Sequence, residues 1–362
     1  MRNALRALER SAISMPAQIA AYESLRTGFR MRSFFDVDTS GGSFEYRQRD
    51  IRLRRYSPGT PRMNEVLDVI RRYALGAEAL RRDLHQVFVH TSSEGDAVAM
   101  LTYFGALPEG WKDAASDMHA REGLPVVGLA FSQEDAHGER TDGRGRSWWA
   151  ERIGRVVCGR DYVMENYASG GRTLAYEQAI GLFSQPNYGV CRRMLQWAES
   201  HTRGSRGDLL ELYCGSGFFT LALAHNFRQC LGTERSEDSV KVARENAARN
   251  MIQNVRFLRS NSSELSSALR RDQAVLQDGS QGIPLGDLDF RTVLVDPTRN
   301  GLDPDTRDLV KGFDSIVYIS CNPSTLARDL GELSDSHVVD SFAFFDQFPY
   351  TEHIECGALL VR

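Results

Sequence analysis

The sequence sets its most reactive residue types at the ends of apolar runs. Tyr318-Ile319-Ser320 leads into Cys321, Asn322 and Pro323. A proline is favoured at the first position of a helix, so the segment reads as a strand, a thiol and a helix start. Most cysteines in globular cores are inert packing residues, so a chemical role for Cys321 depends on its neighbours. Val293-Leu294-Val295 runs into Asp296-Pro297-Thr298-Arg299, placing a carboxylate at the end of another strand. Alone, that Asp-Pro is an ordinary turn. Asp208 to Leu212 continues through Tyr213 and Cys214 to Gly215-Ser216-Gly217. Two glycines in a strand-to-helix turn let backbone approach a ligand, and the helix start adds a positive dipole end. The third glycine of a dinucleotide fingerprint is missing. The next run, Cys230 to Thr233, ends in Glu234. An acid there would accept both ribose hydroxyls, so turn and acid together meet the needs of an S-adenosylmethionine site. Residues 344–357 crowd aromatics, Glu352, His353, Glu355 and Cys356 before a final strand. Glu352 and Glu355 are both candidate bases, and spacing does not choose between them.

Parallel strands alternating with helices would bring these ends to one rim. From Asp208 onward, short apolar runs (208–213, 230–234, 255–259, 292–296, 315–320) are separated by helical stretches at 217–226, 236–250, 304–311 and 323–333. Two last strands fall near 337–345 and 354–361. The polar stretch 262–290 reads as a surface insertion. The first half is different. Residues 29–56 alternate aromatic or aliphatic residues with Arg and polar ones around Gly41-Gly42, which predicts antiparallel strands. Val66, Leu67, Val69, Ile70 and Tyr73 give an amphipathic helix after Pro61. Another strand pair, a helix over 109–121, a strand near 125–133, a charged loop at 134–147 and two or three strands in 152–176 follow. The expected fold is α/β: an α+β domain over 1–180, then a Rossmann-like, parallel-dominated domain over 181–362.

The chain has 362 residues, 41% hydrophobic and 25% charged, which excludes collagen-like, mostly disordered and polytopic membrane classes. No apolar run approaches a membrane span, so no membrane partner is expected. Net charge is −4. Residues 1–82 nevertheless hold 16 Arg against 9 acids, a local excess of +7. A basic end on an acidic chain points to a polyanion partner or to a solvated basic face. Six cysteines stand far apart with no Cys-x-x-Cys pair, so no metal or iron–sulfur site is expected. The first 20 residues read as an ordinary leading helix, and the expected compartment is the cytoplasm, or an organelle in a eukaryotic source.

Four blocks in order, Phe183–Asn187, Gly207–Gly217, Tyr318–Leu326 and Phe344–Gly357, closely resemble the tRNA (uracil-5-)-methyltransferase family from about residue 22 to the end. The resemblance implies S-adenosylmethionine-dependent methylation of carbon 5 of a T-loop uridine, without a metal. It implies Cys321 as nucleophile and Glu355 as general base. It places Gln185, Tyr213, Gly215, Gly217, Glu234 and Asp296 at positions that contact the methyl donor or the target base. It makes the N-terminal part a tRNA-binding domain recognising the T-arm, with Arg30, Arg32, Arg47, Arg49, Arg52 and Arg54 as candidate phosphate contacts. Such enzymes are generally monomeric. Two departures stand out: Thr298 where the family usually has proline, expected to loosen that loop, and Phe218 where it often has asparagine, expected to remove a polar contact to the donor.

The chemistry asks for one thiol and one carboxylate. Thiolate addition to carbon 6 of uracil makes carbon 5 nucleophilic, and a base then removes the carbon-5 proton so the sulfur can leave. Arg299 is expected to lower the Cys321 pKa, and Phe183, Phe348 or Tyr350 to stack on an extruded base. Three rivals remain at this point. A ribosomal RNA relative would carry a further barrel and a four-cysteine cluster. An amino-group methyltransferase would put an aromatic where Arg299 stands. A non-catalytic tRNA-binding or folding protein could retain the same fold.

Overall fold

The computed structural model describes residues 8, 14–48, 51–131, 152–260, 264, 265, 267, 269, 275–278, 281–284 and 286–362. The chain divides into two compact units. The smaller comprises Leu25–Glu165 and Glu177–Gly181; the larger comprises Met1–Ser24, Asn166–Tyr176 and Leu182–Arg362. The chain therefore contributes to the larger unit twice before the boundary expected at 180/181. Strand β1 (Ile19–Tyr22) is one of these contributions. The expected leading helix falls mostly outside the described residues, although Leu8 is helical and buried.

The smaller unit is a seven-stranded sheet. Its strands are β2 (Arg32–Asp38), β3 (Glu45–Gln48), β4 (Ile51–Leu53), β5 (Leu84–Thr91), β6 (Ala97–Phe104), β7 (Val126–Phe131) and β8 (Arg152–Cys158), in the order β4-β3-β2-β5-β6-β7-β8. Gly41 and Gly42 turn β2 into β3 at positive φ, as the Gly-Gly pair predicts. Helix α1 (Pro61–Gly76) starts at Pro61, with the Thr60 hydroxyl accepting from the Met63 amide at 3.1 Å. It buries Met63, Val66, Leu67, Ile70 and Ala74 against the sheet, beside the short α2 (Glu78–Arg81). Helix α3 (Trp111–Glu122) is the crossover that lets β6 and β7 run parallel. The loop expected at 134–147 lies outside the described residues. Strands β9 (Tyr162–Ser169) and β10 (Arg172–Ala179) pair with each other.

The larger unit follows as α4 (Tyr188–Thr202), β11 (Asp208–Leu212), α5 (Phe218–Leu223), β12 (Cys230–Glu234), α6 (Glu237–Arg249), β13 (Val255–Arg259), the hairpin β14 (Val275–Asp278) and β15 (Gln281–Pro284), β16 (Phe290–Val295), α7 (Pro304–Val310), β17 (Ser315–Ser320), α8 (Pro323–Leu333), β18 (Val338–Phe345) and β19 (Glu355–Val361). Its eight-stranded sheet runs β1-β18-β19-β17-β16-β11-β12-β13, all parallel except β19. Successive side chains of β16 enter different cores: Val293 and Val295 one, Leu294 the other. Burial on both faces is why these strands read as unbroken apolar runs rather than alternating ones. Helix α5 is shorter than the 217–226 expected, giving way to a 3-10 turn at Ala224–Asn226.

Candidate active site and family membership

Strand register fixes the site. Leu212 pairs with Thr233 and Val295, so Tyr213, Glu234 and Asp296 emerge together where β11, β12 and β16 end. One strand further, β17 pairs with antiparallel β19, Ser320 opposite Cys356. Cys321 and Glu355 are the next residues outward along the two chains. Because β19 alone is reversed, its first residue comes to the rim at which the other strands finish. Glu355 also pairs with Phe345 at the end of β18. One edge thus carries, in sheet order, Glu355, Cys321, Asp296, Tyr213 and Glu234.

The glycine turn is built as the sequence suggests. Tyr213 adopts φ +62°, an uncommon conformation for a tyrosine, followed by Gly215 at +53° and Gly217 at +81°. A Cβ on Gly217 would lie 2.7 Å from the Phe257 ring, so only glycine fits. The Gly215 amide donates to Glu234 at 3.3 Å, and the Ser236 amide donates to the other Glu234 oxygen at 2.8 Å. These bonds orient the carboxylate, and its remaining lone pairs can accept from vicinal hydroxyls. No Cβ-sized neighbour stands over Gly215, which leaves space against the backbone there. Turn, acid and open space fit the adenosine end of S-adenosylmethionine.

The acids around the thiol are mutually unfavourable. Glu355 is 3% exposed and its Oε2 has no hydrogen-bond partner among the described residues. Burial first, then the Asp296 charge, raise its pKa well above the usual carboxylate range, with Arg299 opposing. Burial pushes Asp296 up to about 7. Cys321 is half-buried, whereas the other five cysteines are buried. Its thiol is pushed up to about 11 by burial, then by Glu355 and Asp296. Arg299 acts in the expected direction but is outweighed, which corrects the expectation of a depressed thiol pKa. Among the described residues no cluster suited to holding a metal ion occurs.

Two residues escaped the sequence reading. Glu211 is buried on β11 beneath the turn, takes a hydrogen bond from Thr220, and is pushed up to about 8, chiefly by burial. An acid inside an otherwise apolar strand was the available sign. Gln347, within the 344–357 block, is 1% exposed and donates from Nε2 to the Gln185 carbonyl at 3.2 Å. Gln185 therefore stands beside the β18–β19 end of the rim, away from Glu234.

The two departing residues have definite surroundings. The Thr298 loop is held: the Thr298 carbonyl accepts from Gly301, and the Arg299 carbonyl accepts from Asn322 Nδ2 at 2.9 Å and Thr325 Oγ1 at 3.2 Å. Phe218 packs in an aromatic cluster with Tyr167, Tyr176 and Phe219, at centroid distances of 5.1, 5.6 and 5.1 Å. Phe183 and Tyr350 are exposed and Phe348 is half-buried. In the smaller unit Arg47 and Arg52 sit opposite each other across β3 and β4. Each is engaged by an acid, Arg47 by Asp38 at 2.6 Å and Arg52 by Glu45 at 2.5 Å. Arg30 donates to the Arg32 carbonyl, and burial lowers Arg32 to about 10. Arg54 lines a cavity of about 410 Å³ with Arg55, Arg71 and Tyr56. Arg49 lies outside the described residues.

A parallel sheet whose carboxyl rim carries a glycine turn with its partner acid defines an S-adenosylmethionine-dependent methyltransferase. Comparison with known proteins narrows the class. The family described as tRNA (Uracil-5-)-methyltransferase matches residues 8–362. The chain is 39% identical over 350 residues to the tRNA/tmRNA (uracil-C(5))-methyltransferase of Pseudomonas entomophila, covering 95% of this chain and 91% of that one. It is 38% identical to the protein of the same name from Cellvibrio japonicus, covering 95% and 90%. In fold it is similar to the Pyrococcus abyssi tRNA (uracil-54, C5)-methyltransferase solved with S-adenosyl-L-homocysteine, with TM-score 0.71, 18% identity, and 99% of this chain and 81% of that one covered. The chain belongs to the tRNA (uracil-5-)-methyltransferase family and is an enzyme of that class.

Proposed function

We propose that this enzyme methylates carbon 5 of a uridine in the T-loop of tRNA, with Cys321 as nucleophile and Glu355 as general base. The observation that carries the reading is the register of β17 and β19, which brings a half-exposed thiol and a buried carboxylate to the rim that bears the glycine turn. Gly215, Gly217, Tyr213 and Glu234 would hold S-adenosylmethionine at its adenosine end, with Asp296 toward the reacting centre. When bound, that group supplies an electrophilic sulfonium methyl for carbon 5.

The residues then account for the remaining electrons and protons. Cys321 loses its proton to solvent, and the thiolate forms a sulfur–carbon bond at carbon 6. The carbon 5–carbon 6 π pair shifts toward carbon 5 and the carbon-4 oxygen, giving the enolate that takes the methyl. Glu355 then accepts the carbon-5 proton. That C–H pair re-forms the double bond, and the carbon 6–sulfur bond breaks to return the thiolate. A carboxylate with a raised pKa is a better base for this step than an ordinary one. Burial, with the Glu355 and Asp296 charges adding to it, keeps the thiol mostly protonated at neutral pH, so the addition step quickens with rising pH.

The names of the relatives, which specify tRNA and in one case uracil-54, support the substrate. Arg30, Arg32, Arg52 and Arg54 are the proposed phosphate contacts on the smaller unit, with Arg47 weakened by Asp38. The enzyme is proposed to act as a cytoplasmic monomer. The test is methyl incorporation from labelled donor into a tRNA transcript and into the same transcript with cytidine at the T-loop target. Incorporation should vanish in the second; equal labelling of both would overturn the T-loop assignment.

A further inference from the structure

The cavity of about 410 Å³ in the smaller unit opens between β4 and helix α1, and its polar groups are of two kinds. Some are committed. Tyr46 Oη donates to the Leu67 carbonyl at 2.8 Å. Asn64 accepts from the Tyr56 amide at 2.9 Å and donates to the Tyr56 carbonyl at 3.1 Å, which fixes that wall. Glu65 is held by Arg62 at 3.2 Å and Asp68 by Arg71 at 3.6 Å. Arg54 and Arg55 are not committed. Both are exposed, line the cavity, and have no ion-pair or hydrogen-bond partner among the described residues. Elsewhere in this unit Arg47, Arg52, Arg72 and Arg121 are each held by an acid.

Hairpin register separates this cluster from the other arginines nearby. Tyr46 and Leu53 are partners across β3 and β4, and both pack on the side that α1 covers. Side chains alternate along a strand, so the adjoining pair, Arg47 and Arg52, projects from the other side. Arg54, Arg55 and Arg71 therefore form a second basic group. Three guanidinium groups around one cavity repel each other, and an anion among them offsets that cost. Their forks suit phosphate oxygens. A water takes up ~30 Å³, so about 410 Å³ admits a sugar as well as a phosphate. Strand β4 ends its sheet, so an RNA strand can cross that edge and meet both groups.

We infer that the cavity between β4 and α1 is a backbone-binding pocket for the tRNA substrate. Arg54, Arg55 and Arg71 hold one sugar–phosphate group there, and Asp68 restrains the affinity by sharing Arg71. This rests on the tRNA reading above and adds to it a contact that reads no base.

The test measures equilibrium binding of a full-length tRNA transcript to the full-length enzyme between about 50 and about 200 mM salt. Arg55→Gln should flatten the log–log slope by about 1, and Arg54→Gln combined with Arg55→Gln by about 2. Asp68→Asn frees Arg71 and should do the reverse. Binding should tighten roughly 2- to 5-fold at the lower salt, with a steeper slope, a gain that a damaged fold does not produce. Asp83, between α2 and β5, is equally exposed and likewise stands beside an arginine, so Asp83→Asn is the charge control and should move neither quantity. In the Arg54→Gln/Arg55→Gln background the Asp68→Asn gain should fall to less than half. A wild-type slope in the double arginine variant, no gain from Asp68→Asn, an equal gain from Asp83→Asn, or a gain undiminished without Arg54 and Arg55 would overturn the pocket alone. A wild-type enzyme that shows no salt-dependent binding of tRNA would overturn the tRNA reading and the inference with it.

Discussion

Glu211 couples the stability of the larger unit to pH, and the sign follows from its burial. The carboxyl rises from an ordinary value near 4.5 to about 8, mainly because ionisation beneath the glycine turn is unsolvated. The hydrogen bond from Thr220 acts the other way, and the Asp296 and Glu234 charges add to the rise. A raised acid keeps its proton in the fold while the unfolded chain has lost it. Its contribution is complete below the unfolded pKa and drains away as pH climbs through the folded one. Between pH 5.5 and 8.5 this single group should cost about 3 kcal/mol of stability, at ~1.4 kcal/mol per fully offset pH unit. Glu211→Gln keeps the shape and can still accept from Thr220, but carries no proton to lose. Pulse proteolysis in urea at the two pH values, reading peptides from β11 and β12, reports this unit separately from the other. The wild type should lose more stability over the interval than Glu211→Gln by about that amount, with Asp296 and Glu355 entering both curves. Equal losses in the two proteins would refute the reasoning.

Alkylation of Cys321 by iodoacetamide should rise with pH toward a midpoint near 11, with the five buried cysteines unreactive in the fold. Glu355→Gln removes the foremost charge that raises the thiol and should move that midpoint down, as a peptide-resolved alkylation series would show. The same variant should accumulate protein–RNA adduct on ordinary tRNA, visible on a denaturing gel, because addition survives while elimination stalls. Gly217→Ala forces a Cβ to 2.7 Å from Phe257 at φ +81° and should cost about 1–3 kcal/mol in urea unfolding. Gly331→Ala, in helix α8 with open space around it, should gain roughly 0.5–1 kcal/mol as its control. For tRNA binding against salt, Arg54→Gln should flatten the log–log slope by about 1, whereas Arg47→Gln should change it less because Asp38 already shares that charge.

The rim was legible because the same residues that do chemistry also punctuate strands. Cys321 before Asn322-Pro323, Asp296 before Pro297, and Gly215 with Gly217 each mark a strand end, and a parallel sheet brings such ends together. Strand β1 was not legible. Its four residues, Ile19 to Tyr22, are held by parallel pairing with Phe342–Phe345, more than 300 positions away, and no local pattern announces that partner. Glu211 was hidden for the opposite reason: it sits in a run whose apolar neighbours alone define the strand. The charge sum located a basic end but not its pairing, since Asp38 and Glu45 reach Arg47 and Arg52 only through hairpin register. Gln347 read as one polar residue among aromatics, and only the path of its hydrogen bond to Gln185 sets it apart.

The covalent route is tested most directly by incubating the enzyme and methyl donor with a T-arm RNA bearing 5-fluorouridine at the target, then mapping the denatured product by peptide mass spectrometry. The carbon–fluorine bond leaves no proton for Glu355 to remove, so the account predicts a stable link between the methylated pyrimidine and the peptide containing Cys321, absent from Cys321→Ala. No adduct from the wild type, or an adduct that survives in Cys321→Ala, would contradict it.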